Sequence, residues 1–146
     1  MMLVDINLLL YAVNEDDPHH FSARGWLEQK LSGAIPVGLS WAAILGFIRL
    51  STNSKVIPKP LSRAEATERI NDWLGQPSVQ IVAPGERHWD ILQSLLKVVP
   101  SSPNWVTDAH FAALAIEQGC QLCLTDEDFA KFPGLRWINP LQTQPT

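Results

Sequence analysis

The chain has 146 residues, 46% of them hydrophobic, and a formal charge of −4. That length suits one domain spanning 1–146, and the apolar fraction is too high for a disordered chain. The acidic balance excludes a broadly basic nucleic-acid binder. It still allows a nuclease whose bound cations and local basic patch offset an acidic cleft. No apolar stretch approaches the length of a membrane span. The N-terminal segment lacks the basic start and small-residue cleavage site of a signal peptide, so a cytoplasmic protein without membrane association is expected.

In chain order, Leu3 and Val4 form a short buried strand that ends at Asp5, and Asn7–Val13 reads as a helix. Asp17 and Pro18 suit the N-cap and first position of a second helix, about His19 to Leu31. Its apolar face is Phe21, Trp26, Leu27 and Leu31. Ile35–Leu39 is a second strand, and Ser40 caps a strongly apolar helix from Trp41 to Leu50. Ser51–Pro60 is a polar, proline-bounded loop. Ser62 and Glu65 make a capping box for a helix that runs to about Leu74. Val79–Val82 is a third strand. Glu86–Val98 is an amphipathic helix with Trp89, Leu92, Leu95 and Leu96 inward. An Ala-rich helix, Thr107–Gln118, stops at Gly119. Gln121–Thr125 is a fourth strand, the Asp126-Glu127-Asp128 turn follows, and Arg136–Ile138 is a last short strand. Short strands alternating with helices specify an α/β fold with a parallel sheet covered on both faces. The ordered core is expected to end near residue 140, with 141–146 as a tail.

Four aspartates stand out: Asp5, Asp108, Asp126 and Asp128. Each lies at a strand end or a helix start inside an apolar context, where a lone Asp is usually a cap. Most other acids, such as Glu28, Glu65, Glu68, Asp72 and Asp90, fall in surface-like helical runs. In an open α/β sheet the crevice lies outside the carboxyl ends of the strands, so these carboxylates are expected to share one cleft. Clustered carboxylates repel unless protons or cations neutralise them. Hard oxygens suit Mg²⁺ or Mn²⁺, and two such ions can drive phosphodiester cleavage. Asn7 is placed to orient Asp5 or Asp108 through its amide, or to cap the first helix. Thr125 either contacts a phosphate oxygen or finishes its strand. Arg49 and Lys55, with Lys59 and Arg63, are candidates for contacting RNA phosphates at the cleft mouth. His110 follows Asp108 by two residues, with a surface or packing role favoured over a cleft-facing one. Cys120 and Cys123 have no second pair to complete a zinc site, and read as buried, reduced thiols.

These segments resemble the PIN domain, specifically the VapC-type toxin ribonucleases of toxin–antitoxin modules. The resemblance is carried by Leu3-Val4-Asp5-Ile6-Asn7, by Phe47-Ile48-Arg49-Leu50 with Thr52-Asn53, and by Thr107-Asp108-Ala109-His110. It continues in Thr125-Asp126-Glu127-Asp128-Phe129 and the ending Phe132-Pro133-Gly134-Leu135-Arg136-Trp137. It implies a three-layer α/β/α sandwich around a short central parallel sheet. It implies an endoribonuclease dependent on Mg²⁺ or Mn²⁺, with Asp5, Asp108 and Asp126 as metal ligands and Asp128 assisting directly or through water. It also implies a VapB-type antitoxin, a homodimer, and contact with DNA only through the antitoxin. Trp26, Trp41, Phe47 and Trp73 are candidates for an antitoxin groove or a dimer seam, or are simply core. Many PIN domains carry Glu where this chain has Gly46, which leaves open whether one cation or two is held. Gly46 also motivates a competing reading, a catalytically weak module that binds RNA or protein. A two-metal phosphatase is a further alternative, although Asp5-Ile6-Asn7 lacks the second Asp of an aspartyl-phosphate motif.

Overall fold

The computed structural model describes residues 1–142. Its centre is β1 (Met2–Val4), flanked on one side by β2 (Val37–Ser40) and then β3 (Val79–Val82), and on the other by β4 (Gln121–Cys123) and β5 (Trp137–Ile138). All four pairings are parallel. Every residue of β1 and β2 is buried, as expected of strands covered on both faces. Edge strand β3 instead leaves Gln80 and Ile81 exposed.

From β1 the chain steps outward to β2 and β3, then crosses back to β4 and steps outward the other way. Right-handed crossovers place the helices of opposite steps on opposite faces. Accordingly α1 (Ile6–Val13) packs on α2 (His20–Leu31) and α3 (Trp41–Ser51), and α3 packs on α4 (Arg63–Leu74). On the other face α5 (His88–Leu96) packs on α6 (Trp105–Gln118). The result is the three-layer sandwich that the sequence implies. Leu3, Val4, Leu39 and Leu122 of the sheet interlock with Leu8, Leu9 and Phe47 on one face and Phe111 and Leu114 on the other.

Local chemistry explains the element ends. The Ser40 hydroxyl accepts from the Ala43 amide at 3.0 Å, and Ser62 and Glu65 form the expected reciprocal capping box. Gly119 takes a left-handed φ of 68°, which ends α6 and turns the chain into β4. Several expectations are corrected. Phe21 is 86% exposed and Trp89 62% exposed, so neither lies on an inward face. The buried residues of α2 are His20, Ala23 and Leu27, and α5 buries His88 and Leu95. Asp17 accepts from the His19 amide, capping a turn just ahead of α2, which starts at His20. Helix α6 starts at Trp105, before Thr107, and β2 runs to Ser40. The expected tail begins at Leu141 and Gln142, and residues 143–146 lie outside the described residues.

Candidate active site

The order β3-β2-β1-β4-β5 reverses direction between β1 and β4, and that boundary is where an open parallel sheet forms a crevice. Asp5 ends β1 there, and its amide donates to the Cys123 carbonyl of β4 at 3.0 Å. Asp126 lies just past β4, at the start of the 3-10 turn Glu127–Lys131. Asp108 sits in the first turn of α6, the helix that leads into β4. Three separate elements thus deliver carboxylates to one crevice.

Their electrostatics confirm the proximity. Asp5 is 8% exposed. Burial, with the charges of Asp108 and Asp126, pushes its carboxyl up to about 6, although the Ile6 amide pulls the other way. Burial, followed by Asp126 and Asp128, pushes Asp108 up to about 6 as well. Among the described residues, no Lys, Arg or His forms an ion pair with any of the four aspartates.

The capping explanation divides the aspartates. Asp5 has N-cap backbone geometry for α1, but its side chain makes no capping hydrogen bond. Asp126 does cap its turn, its Oδ1 accepting from the Asp128 amide at 2.9 Å. Side-chain capping therefore explains part of Asp126, whereas Asp5 takes the N-cap backbone position without a side-chain capping bond.

A divalent cation fits this donor set. All the ligands are hard oxygens, and burial together with neighbouring carboxylates raises Asp5 and Asp108. Among the described residues no three His, Cys, Asp or Glu side chains already converge on one point. Mg²⁺ takes one or two carboxylates and retains several waters, so a ready-made cage of protein atoms is not required.

The other expected site residues fall as follows. Asn7 is exposed on α1, and among the described residues its amide bonds neither Asp5 nor Asp108. Thr125 is half-buried beside Asp126. Arg49 and Lys55 are exposed at the end of α3 and just beyond it. Lys59 instead lines a cavity with Val13 and Asn14, at the end of α1 away from Asp5. His110 turns from the cleft toward α5, with its Nδ1 3.0 Å from His88 Nε2. Glu117, which sequence reasoning passed over, accepts from the amides of Gly85 and Arg87 and ties the β3–α5 connection to α6. Both cysteines are buried and free, and burial pushes the Cys123 thiol up to about 12, consistent with inert reduced thiols.

Gly46 has a packing explanation. A Cβ added there would lie 2.5 Å from Ile6 Cδ1 and 3.2 Å from Ile6 Cγ1. The space that a side chain on α3 would take is filled by Ile6, the residue after Asp5.

Comparison with known proteins agrees with this geometry. The PIN domain family matches residues 2–135. Ribonuclease VapC37 of Mycobacterium tuberculosis is 45% identical, with the match covering 96% of this chain and 97% of that protein. Ribonuclease VapC33 of the same species is 38% identical, over 97% and 99% of the two chains. Among solved structures, the Mycobacterium tuberculosis toxin VapC20 superposes with a TM-score of 0.66 at 18% identity, covering 93% of this chain and 99% of that one. VapBC-1 of nontypeable Haemophilus influenzae gives 0.67 at 15% identity, over 97% and 98% of the chains. By its carboxylate crevice, its fold and these likenesses, the chain belongs to the PIN-domain family and, within it, to the VapC ribonucleases.

Proposed function

We propose that the chain, acting as one PIN domain, is the toxin of a toxin–antitoxin module and cleaves RNA phosphodiester bonds with a divalent cation, Mg²⁺ or Mn²⁺. The observation that carries this reading is the set of unpaired carboxylates from three elements at the β1/β4 switch point, with Asp5 and Asp108 both raised. Asp5, Asp108 and Asp126 would hold the cation, and Asp128 would assist directly or through water. A bound divalent cation supplies charge neutralisation and acidifies water at neutral pH.

The protein's own part is positional. The Asp5 amide bond to Cys123 locks the two strands that bear the carboxylates. The Asp126 cap fixes the turn that carries Asp128. Asn7 and Thr125 stand beside Asp5 and Asp126 in sequence, where their polar groups can meet a bridging water or a phosphate oxygen. Arg49 and Lys55 supply phosphate contacts. The raised Asp5 and Asp108 are strong proton competitors near pH 6, and cation binding must displace those protons.

The partner is a VapB-type antitoxin, as in the VapBC complex of Haemophilus influenzae. A VapBC2 complex of Rickettsia felis was solved on a fragment of its promoter, and DNA contact here would likewise run through the antitoxin. The toxin acts as a homodimer in the cytoplasm; among the described residues no helix is long and apolar enough to cross a membrane. The test is incubation of purified, antitoxin-free protein with a mixed RNA pool in Mn²⁺, Mg²⁺ or EDTA. Cleavage with cation only, leaving 5′-phosphate and 3′-hydroxyl ends, is expected. Folded protein that cleaves nothing in either cation overturns the reading.

A further inference from the structure

Of the four aromatic residues expected at a partner surface or in the core, Phe47 and Trp73 are buried against each other, while Trp26 is partly buried against the core. Trp41 is not: it is 53% exposed, and among the described residues its ring meets no other ring and no cation. Leu45, one turn later, is 61% exposed, and Arg49, a further turn on, is exposed. Arg49 forms no ion pair among the described residues. Residues four apart lie on one helix face, so Trp41, Leu45 and Arg49 form a single stripe along α3.

Two independent geometric links tie that stripe to the carboxylate crevice. In the β1–β2 register Met2 pairs with Val37 and Leu3 with Gly38. Continuing the ladder sets Asp5 beside Ser40, the residue before Trp41, with neighbouring strands about 5 Å apart. Lower on α3, Gly46 lies against Ile6, the residue after Asp5. The stripe runs about a quarter-turn round the helix from that contact.

We infer that the Trp41–Leu45–Arg49 stripe is a base-stacking platform for the RNA strand entering the crevice, with an unpaired base on the Trp41 ring and a backbone phosphate on Arg49. This rests on the ribonuclease reading and adds the residues that hold the substrate. The chemistry favours a nucleotide over a second copy of this chain. Single-stranded RNA is recognised by stacking of unstacked bases on aromatic side chains together with cationic contacts to the backbone. An exposed Trp one strand from an acidic crevice, in line with an unpaired guanidinium, supplies both.

The experiment uses the full chain and an Asp108→Ala background, which holds RNA without cutting it. The probe is a single-stranded oligoribonucleotide carrying 2-aminopurine, whose fluorescence falls when the base stacks. Quenching is expected with Asp108→Ala, lost when Trp41→Ala is added and restored with Trp41→Phe. In the otherwise wild-type chain, Trp41→Ala should raise KM for RNA about tenfold with kcat within twofold, and Trp41→Phe should recover most of it. Sedimentation should be unchanged by either substitution. Equal losses in Trp41→Ala and Trp41→Phe, or a change of oligomeric state in Trp41→Ala, would overturn the platform and point to a seam between copies. Normal cleavage without quenching sinks the platform and spares the ribonuclease reading. Quenching without any cleavage by the wild-type chain does the reverse.

Discussion

Asp5 offers a substitution in which stability and function should move in opposite directions. Its carboxyl rises from an ordinary 3.8 to about 6 because it is buried next to Asp108 and Asp126. A carboxylate whose folded-state pKa is raised stabilises the fold below its unfolded value. That contribution is lost as pH climbs through about 6. At pH 7.5, without metal, the charged Asp5 should therefore cost the fold up to about 3 kcal/mol, from about two pKa units at 1.36 kcal/mol each. Asp5→Asn is nearly isosteric and removes the charge. In EDTA at pH 7.5 it should raise Tm by up to about 6–12 °C, at 2–4 °C per kcal/mol for a chain of this size. At pH 5, between the unfolded value of 3.8 and the folded value of about 6, the advantage should fall to about half, and it should vanish only below the unfolded value. Mn²⁺ should stabilise the wild type and do little for the variant. The assay is thermal unfolding of both proteins at the two pH values with EDTA or Mn²⁺. A variant less stable than wild type in EDTA at pH 7.5, or a difference that does not change with pH, would refute the assignment of Asp5 as a buried, cation-seeking carboxylate.

Three further outcomes follow from the same structure. Mn²⁺ affinity should fall by about 100-fold between pH 7 and pH 5, since protons compete at both Asp5 and Asp108; electron paramagnetic resonance of free Mn²⁺ would show a flat profile if that is wrong. Gly46→Ala should cost up to about 2 kcal/mol, as crowding of Ile6 at about 1–3 kcal/mol outweighs about 1 kcal/mol of helix propensity, and adding Ile6→Val should recover part of it; a urea midpoint higher in the single variant would contradict the packing explanation. Cys123 should resist maleimide labelling in the native protein and react once it is unfolded, and rapid native labelling would show that the thiol is not buried as described.

The sheet and the crevice were legible because their signals are local. Leu3-Val4 before Asp5 and Leu122-Cys123-Leu124 are short apolar runs that suit buried strands, and strand ends in a parallel sheet face one crevice. Ser40, Ser62 with Glu65, and Gly119 sit at element ends whose hydrogen bonding they satisfy. What failed was facing. Phe21 and Trp89 are large apolar residues near helix starts, and periodicity alone assigns them inward. The small Ala23 and the polar His20 and His88 take those buried places, with His20 Nδ1 2.9 Å from the Tyr11 carbonyl and His88 Nε2 3.0 Å from His110 Nδ1. Such burial depends on partners distant in sequence, which composition does not show. Lys59 misleads for a similar reason: it follows the helix of the site in sequence, yet the loop carries it to the far end of α1. Gly46 reads in sequence as a missing carboxylate and as a helix-interior glycine with a packing or access role, and Ile6 filling its space supplies the packing.

The central claim is that the switch-point carboxylates form a cation site and that this site cuts RNA. The most direct test measures Mn²⁺ binding and RNA cleavage on the same samples of wild-type protein and Asp108→Ala, with product ends mapped. Cleavage that rises with bound Mn²⁺, leaves 5′-phosphate ends and disappears with Asp108→Ala is the predicted result. Cleavage that persists in Asp108→Ala or in EDTA would place the chemistry elsewhere in the molecule.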